Sequence, residues 1–411
     1  MYLTHLSLKN FRNYLRLELP LPQGVTVIQG RNAQGKTNLL EAIAYLATSK
    51  SLRALTEREL VHWLSFEREP IPFAEVSGDV QHNGHTTHLR IVLTQQGGRG
   101  SGSGFRKVVT INGVRKRALD LLGILPVVLF LPEDITLVAG APSVRRRYLN
   151  LLLCQIDREY CQHLDAYNKV ITRRNAQLRA FQGRRPDPAL MAYWNEALVE
   201  HGAYILHKRQ EIVARLDTLV REQHRALAPR QGRLRVEYRS TISVNGTRAV
   251  VPKEQLALAL HEEPVAYVPQ PVVPLSRLQK RFGEQLEHVQ RQEVEAGMTL
   301  IGPHRDDMVF LLEGRDVRTY GSRGQQRTVA LSMKLAEVQL IQEALQASPL
   351  LLLDDVMSEL DEERRQRVLD VVVHVPQAII TTTDWAPFHA DFLSQAHRLE
   401  VAEGIIQTVS R

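Results

Sequence analysis

Apolar and polar residues alternate at residues 3–8, near the start of the chain. A second segment, residues 24–29, is rich in β-forming residues and stops at Gly30. After Lys36 the apolar period changes to that of a helix, at Leu39, Leu40, Ile43, Ala44 and Ala47. The pattern predicts two strands, the second of which leads through a loop into a helix.

Short alternating segments return at residues 73–80, 87–93 and 107–111. Asn-Gly pairs at 83–84 and 112–113 favour tight hairpin turns, because both residue types tolerate positive φ. These segments predict a small antiparallel β lobe. The Gly- and Ser-rich run at residues 97–104 is of low complexity and is predicted to be a mobile loop tip without chemistry.

A long stretch with helical periodicity follows, at residues 143–226, and it is rich in Leu, Arg and Gln. It is broken once, at residues 183–188, by Gly, Arg and Pro. The pattern predicts a helical hairpin arm. Residues 240–274 are irregular and rich in Val and Pro, which indicates a strand pair and a variable connection.

Mixed α/β patterning returns near Met298 and ends with apolar strands at residues 350–353 and 378–381. At 411 residues the chain exceeds the size of most single cores, which favours two domains or one domain with a large insertion. We predict an α/β head made of residues 1–140 and 231–411, with the helical arm, residues 141–230, inserted between them.

The composition is that of an ordinary globular protein, with 44% hydrophobic and 24% charged residues. We find no run of about 18 uncharged apolar residues and no signal-peptide core at the N-terminus, so we expect no membrane span and a cytoplasmic location. Cys154 and Cys161, the only cysteines, lack metal-site spacing and are expected to be packed thiols.

Basic residues outnumber acidic ones by 52 to 45, and the net charge of +7 is compatible with a polyanionic partner. Basic clusters in the predicted arm could neutralise DNA phosphates without reading sequence. A solvated helix face explains each cluster equally well. The candidate DNA-binding residues are Arg145, Arg146, Arg173, Arg174, Arg184 and Arg185.

The loop between the second strand and the first helix fits a phosphate-binding pattern, with two glycines followed by Lys and a hydroxyl residue. Glycines allow the backbone N–H groups and the helix N-terminus to point at phosphate oxygens. Lys36 is expected to reach the β- and γ-phosphates and Thr37 to hold Mg²⁺. The predicted nucleotide-binding residues are Gly30, Arg31, Asn32, Ala33, Gln34, Gly35, Lys36 and Thr37.

Two adjacent acids, Asp354 and Asp355, end the apolar strand at residues 350–353. Ligands of parallel α/β sheets bind at this end of the strands. We assign Asp354 to the metal and Asp355 to the attacking water, and predict that both are catalytic together with Lys36. More than 300 residues separate the loop from the acids, which excludes the compact arrangement of small nucleotide kinases.

Two further motifs accompany this pair. Ser322, Gly324 and Gln325 stand at the start of a helix-patterned segment and could offer N–H groups and a hydroxyl to an anion. A plain helix cap is the competing interpretation. Residues 358–361, ending in Asp361, follow the acids at the distance expected of the D-loop of ABC-type ATPases.

The order of these motifs resembles the RecF family, bacterial recombination-repair ATPases of the ABC/SMC type. The resemblance spans nearly the whole chain, and its narrowest elements are Gly-Pro-His-Arg-Asp-Asp at residues 302–307 and Gly-Gln-Gln-Arg at residues 324–327. Similar too are residues 10–14, residues 30–43 and the Lys-Ser-Leu-Arg segment at 50–53. For residues 302–307 we prefer a structural or nucleotide-coupling role to a metal site.

The resemblance implies a P-loop ATPase head that forms a head-to-tail dimer around two ATP molecules. Ser322, Gly324 and Gln325 would then act on the partner's nucleotide, and Asp361 would lie near the dimer seam. Thr383 falls where many ABC proteins carry a histidine, and residues 130–134 lack an obvious Q-loop glutamine. These departures leave the γ-phosphate sensor open and suit slow hydrolysis.

The implied function is ATP-dependent binding of double-stranded DNA at gaps or damage, in repair, replication and the SOS response. The dimer would help to load the recombinase with RecR and RecO as partners, and slow, DNA-stimulated hydrolysis would release it. Three alternatives stay open: a small-molecule phosphotransferase, an SMC-like linker protein and an ABC transporter subunit. Short predicted arms disfavour the second, and residues 302–307 fit the third poorly.

Overall fold

In a computed structural model, the described residues are 1–51, 53–96, 104–181, 188–243 and 270–409. The chain forms two compact units, the first made of Met1–Asp134 and Lys334–Arg411 and the second of Ile135–Met333. The domain boundaries predicted at residues 140 and 230 stay a prediction. Most of the irregular connection predicted at 240–274, and all but the last residue of the loop tip predicted at 97–104, lie outside the described residues.

The first unit contains a six-stranded antiparallel sheet. Its strands, in spatial order, are β2 (Tyr14–Pro20), β1 (Tyr2–Phe11), β4 (Phe73–His82), β5 (His85–Gln95), β6 (Phe105–Ile111) and β7 (Val114–Lys116). At both Asn-Gly turns the two residues have positive φ, as the tight turns require. The sheet is the predicted β lobe, extended by β1, β2 and β7.

A second sheet in this unit is parallel except at one edge. Its order is β15 (Ile405–Thr408), β14 (His397–Ala402), β3 (Gly24–Gln29), β13 (Gln377–Thr382), β12 (Leu350–Asp354) and β8 (Val127–Phe130), with only β15 antiparallel. Every residue of β12 and β13 is buried, as is typical of strands covered on both faces. The carboxyl ends of β3, β13, β12 and β8 therefore meet at one edge.

Helix α1 (Lys36–Thr48) packs against strands of both sheets, and its apolar residues join one core with Leu3, Leu352 and Ile379. Within this core Glu41 forms a two-point ion pair with Arg12, with N–O distances of 2.8 and 2.9 Å. The other helices of the first unit are α2 (Trp63–Arg68), α10 (Glu362–Val372) and α11 (Ala390–Gln395).

The second unit is mainly helical. Its helices are α3 (Ile135–Ala139), α4 (Pro142–Ile156), α5 (Arg158–Ala180), α6 (Pro188–Leu227), α7 (Leu275–Ala296) and α8 (Val317–Tyr320), and its small antiparallel sheet is β11 (Arg315–Asp316), β10 (Asp307–Leu312) and β9 (Leu234–Arg239). Helix α9 (Arg323–Leu345) starts in this unit and ends in the first. None of the described helices is long and apolar enough to cross a membrane.

The predicted hairpin contains one more break than its pattern indicates. Asp157 separates α4 from α5, and its carboxylate accepts a hydrogen bond from the Tyr160 N–H at 2.8 Å. Such a cap gives the backbone an alternative to a continuous helix. Both cysteines are buried, as expected of packed thiols.

The Gly-Pro-His-Arg-Asp-Asp segment is the centre of a buried polar network in the second unit. The Asp306 carboxylate accepts hydrogen bonds from the Tyr238 hydroxyl and the Thr241 N–H, both at 2.7 Å. The Pro303 carbonyl accepts one from the buried guanidinium of Arg209 at 2.6 Å. The segment thus connects α6 with β9 and the residues that follow it.

Candidate nucleotide-binding site

The phosphate-binding loop lies between β3 and α1, at the carboxyl edge of the parallel sheet. Ala33 and Gly35 have φ of 65° and 110°, so the backbone curls through the left-handed region twice. A Cβ at Gly35 would lie 2.4 Å from the Asn13 side chain and 2.8 Å from the Tyr14 hydroxyl. Only glycine fits this position, which explains the second glycine of the pattern.

Residues far away in the sequence support this loop. The Tyr14 hydroxyl donates to the Gly35 carbonyl at 3.0 Å, and the Asn13 amide donates to the Gln34 carbonyl at 3.3 Å. The Gln34 side chain accepts from the Glu403 N–H, in the turn after β14, at 2.6 Å. The resemblance included Asn13 and Tyr14 but assigned them no role, and no sequence signal pointed to Glu403.

Lys36 is buried, and its ammonium group donates to the carbonyls of Gly30 and Arg31, the latter at 2.9 Å. Burial lowers the pKa of Lys36, while the nearby carboxylates of Asp355 and Asp354 raise it. Lys36 and the two acids line the same cavity. This is the arrangement in which it can neutralise a phosphate that enters between them.

The two acids differ in their environment. Asp354 is buried at the end of β12, and its Oδ1 accepts a hydrogen bond from the Thr381 hydroxyl at 2.8 Å. Asp355 has a left-handed backbone, with φ of 50°, and its N–H donates to the Thr381 carbonyl at 3.1 Å. Its buried Oδ1 has no hydrogen-bond partner among the described residues. Sequence reasoning missed Thr381, which contacts both acids.

The loop and the acids line one cavity of about 350 Å³. Its wall is formed by residues 32–38, Asp354 and Asp355, with Arg53, Pro132 and Glu133 added from other segments. Thr37 and Asp354 offer the oxygen donors that Mg²⁺ prefers, and the partnerless Asp355 oxygen leaves an acceptor for a bound water. The donor set fits a magnesium ion. Glu133, a carboxylate, lies in the segment where no Q-loop glutamine was found.

The motif at Ser322 lies in the second unit, immediately before α9. The Gln325 N–H donates to the Ser322 hydroxyl at 3.2 Å, and the Ser322 N–H donates to the Gln325 side chain at 2.9 Å. This reciprocal cap is the competing interpretation of the motif. Ser322 and Gly324 are nevertheless exposed, so the helix N-terminus is open to solvent. The nucleotide role of these residues stays a prediction.

Asp361 and Thr383 are not among the residues that line the cavity. Asp361 is exposed, caps α10 and forms an ion pair with Arg364 at 2.8 Å. The Thr383 carbonyl accepts a hydrogen bond from the Gln29 amide at 3.1 Å. In the described part of the chain neither residue forms a hydrogen bond or an ion pair with the phosphate loop or the acid pair, and their predicted roles remain predictions.

The predicted DNA-binding role is wrong for two of the six arm arginines. Arg145 is buried and forms a two-point ion pair with Asp307, at 2.7 and 2.9 Å. Arg174 is fully buried and forms an ion pair with the equally buried Glu293 at 2.6 Å. Neither guanidinium is available to a phosphate, because each charge is neutralised inside the second unit.

The other arm arginines have different positions. Arg146 is half-buried and donates to the Asp306 carbonyl at 2.8 Å, whereas Arg173 is exposed. Arg184 and Arg185 lie outside the described residues. A DNA-binding role for these four residues stays a prediction.

A phosphate loop that faces paired acids across parallel strands defines a P-loop nucleotide-binding protein. The family model described as RecF/RecN/SMC N terminal domain matches residues 2–400. The DNA replication and repair protein RecF of Chloroflexus aurantiacus is 39% identical over 98% of this chain and 99% of its own length. The RecF of Halalkalibacterium halodurans is 36% identical over 99% of both chains.

Solved structures agree with these relatives. A structure described as the recombination mediator protein RecF-ATP in the RecFOR pathway superposes with a TM-score of 0.82. It is 29% identical in sequence and covers 100% of this chain and 98% of that chain. The chain belongs to the RecF family. The predicted fold class, an ABC/SMC-type P-loop head with an antiparallel β lobe and an inserted helical arm, is confirmed.

Proposed function

We propose that the protein binds ATP and Mg²⁺ in the cavity between the phosphate loop and the acid pair, and that ATP controls a DNA-binding dimer. As a member of its family the protein is an ATPase of the ABC/SMC type. The observation that carries the proposal is the single cavity shared by Lys36, Thr37, Asp354 and Asp355. These residues come from two segments of the chain that meet only in the fold.

In the proposed reaction the N–H groups of the loop and Lys36 hold the β- and γ-phosphates. The Thr37 hydroxyl and the Asp354 carboxylate would hold Mg²⁺, which supplies positive charge to the phosphate oxygens. Asp355 orients a water, whose oxygen forms a bond to the γ-phosphorus while the bond to the β–γ bridging oxygen breaks. The proton of the water passes to Asp355, and ADP and phosphate leave.

Two copies would close head to tail, each offering Ser322, Gly324 and Gln325 to the other's nucleotide, with Asp361 near the seam. Relatives described as DNA replication and repair proteins support double-stranded DNA, including gap junctions, as the partner. A similar structure described within the RecFOR pathway supports RecO and RecR as further partners. The closed dimer helps to load the recombinase, and slow, DNA-stimulated hydrolysis releases it. Because its proposed partner is double-stranded DNA, we expect the protein to act in the cytoplasm.

Sedimentation velocity tests this proposal directly. The wild type is compared with Lys36→Ala and Ser322→Ala, each with ATP, with ADP and without nucleotide, in the presence and absence of a short duplex. We expect dimers and DNA complexes that require ATP and are lost in both variants. A constant monomer that ignores DNA would contradict the dimer, and ATP turnover stimulated only by an acceptor metabolite would favour the phosphotransferase.

A further inference from the structure

The outer edge of the antiparallel sheet carries a run of three basic residues, Arg115, Lys116 and Arg117. The first two lie in β7, whose three residues are all exposed and which pairs in the described chain only with β6. Neither Arg115 nor Lys116 forms an ion pair with any described residue. The edge therefore presents two cations to solvent that no acid of the described residues neutralises.

A concave surface of about 570 Å³ adjoins this edge. Four cations line it, Lys107, Arg115, Lys116 and Arg117, against a single acid, Asp120. The Asp120 carboxylate already accepts a hydrogen bond from the Arg117 N–H at 3.0 Å, and its nearest distance to the Arg117 guanidinium is 3.5 Å. The surface thus keeps an excess of positive charge.

Lys107 connects this surface with the end of helix α1 in the same unit. Its ammonium donates to the Ser49 carbonyl at 2.7 Å and pairs with Glu57 at 2.6 Å. Ser49 caps the carboxyl end of α1, the helix that begins at Lys36. A ligand on the basic surface would therefore lie near the carboxyl end of the helix that follows the phosphate loop.

We propose that this surface, defined by Lys107, Arg115, Lys116 and Arg117 and called the β7 edge from here on, binds the phosphate backbone of double-stranded DNA. The inference rests on the proposed function and gives it a contact surface. Charges spread along an exposed strand suit an extended polyanion better than a small anion, which needs converging donors. Arg and Lys on phosphates give affinity without sequence preference.

Charged residues also protect edge strands from pairing with other chains. That explanation requires no DNA contact, so the two interpretations differ in a measurable way. The β7 edge as a DNA surface predicts a loss of affinity when its charges are removed. Edge protection alone predicts unchanged affinity and a greater tendency to aggregate.

The test uses the full-length chain with ATP and a short fluorescent duplex, and follows binding by anisotropy over a range of salt concentrations. Arg115→Gln with Lys116→Gln removes the two cations that have no ion pair and leaves the hydrogen bond between the Arg117 N–H and Asp120 in place. Lys280→Gln with Arg291→Gln is the matched control, since it removes one Lys and one Arg from exposed positions of α7. Both double variants lower the net charge by the same amount.

We expect the β7-edge variant to bind about 10-fold more weakly and the slope of log affinity against log salt to fall by about 2. The control variant should retain the wild-type slope. Equal slopes in the two variants would overturn the assignment of the β7 edge while leaving DNA binding by the protein intact. A wild type that binds no duplex with ATP would overturn both the inference and the proposed function.

Discussion

The nucleotide site of the first unit and the arginine clusters of the second unit are both built from short charged motifs, but the structure surrounds their side chains differently. The structure gathers residues 32–38 of the loop and helix start and the acid pair around one cavity. It buries Arg145 and Arg174, which the same kind of reasoning placed on a DNA surface. A charged side chain can be a ligand group or an internal ion pair, and only its surroundings decide which.

The difference lies in how each motif constrains its own backbone. The loop needs glycine where a Cβ would meet Tyr14, and the acids follow a strand whose parallel neighbours fix where it ends. These requirements can be recognised from residue types and their spacing in the local sequence. An arginine on a helix carries no such signal, because its guanidinium donates hydrogen bonds to a protein carboxylate as readily as to a phosphate.

The largest effect is expected from Asp355→Asn, a substitution in the nucleotide site. Asparagine keeps the shape and tolerates the left-handed backbone, but it loses the negative charge. We expect ATP turnover to fall by about 100-fold to 10,000-fold while ATP binding is kept. Phosphate release and equilibrium binding of a fluorescent ATP analogue measure the two quantities.

Asp391→Asn is the matched control, since Asp391 is an exposed acid in α11. It should turn over ATP like the wild type. Near-normal turnover in Asp355→Asn would contradict the assignment of Asp355 to the attacking water and would leave Glu133 as the remaining carboxylate of the cavity to test.

Two adjacent arginines test the other side of the comparison. Arg174→Met leaves the Glu293 carboxylate buried without its partner, and we expect a loss of about 3–5 kcal/mol in the free energy of unfolding. Arg173→Met changes an exposed side chain and should cost less than about 0.5 kcal/mol. Urea titrations followed by circular dichroism, with hydrogen exchange of α5 and α6, measure the difference.

The double variant Arg174→Met with Glu293→Leu separates the pair from its surroundings. Removing both charges should recover much of the stability that Arg174→Met loses, since no buried charge is then left alone. If Arg174→Met and Arg173→Met were equally stable and equally impaired in DNA binding, the burial of Arg174 would be the wrong explanation.

Sequence separation explains what could be predicted. The phosphate loop is contiguous and the acids end an apolar strand, so residue type and spacing were enough to predict that both lie at one edge of the sheet, where they line one cavity. Arg145 finds its partner 162 positions away and Arg174 119 positions away, and no local pattern encodes such pairings. The same holds for Glu403, which supports Gln34 from 369 positions away.

His304 makes the stability of the second unit depend on pH, because the buried network holds its imidazole in the neutral form. Burial lowers the pKa of His304 from its usual 6.5 to about 4, and its Nδ1 lies 2.7 Å from the Tyr167 hydroxyl. The unfolded chain takes up a proton at higher pH than the folded one. The stability contributed by His304 is therefore present above about pH 6.5 and is lost as pH falls towards 4, by up to about 3 kcal/mol.

His304→Asn should remove this part of the acid sensitivity, measured as the difference in unfolding free energy between wild type and variant across that pH range. His288→Asn is the control, since His288 is exposed on α7 of the same unit. A pH dependence that is identical in wild type and His304→Asn would show that other groups, such as the buried Asp306, govern the acid response.

The smallest effect is also the most specific, because it concerns one hydroxyl group in the parallel sheet. Thr381 is fully buried, donates to Asp354 at 2.8 Å and accepts from the Asp355 N–H at 3.2 Å. Thr381→Val keeps the shape and removes both contacts. Groups that orient a metal ligand typically contribute 10-fold or more, so we expect about 10-fold lower turnover and a higher Mg²⁺ requirement.

Thr26 provides the matched control, since it is fully buried on the adjacent strand β3, beside Ile379, and its hydroxyl has no hydrogen-bond partner among the described residues. Thr26→Val should leave turnover and the Mg²⁺ requirement unchanged, and Thr381→Ser should restore most of the activity. Equal effects of Thr381→Val and Thr26→Val would reduce the role of Thr381 to packing. A loss of turnover that is confined to Thr381→Val and absent in Thr381→Ser would assign the Thr381 hydroxyl to the nucleotide site. No sequence pattern distinguishes this threonine from others inside a buried strand.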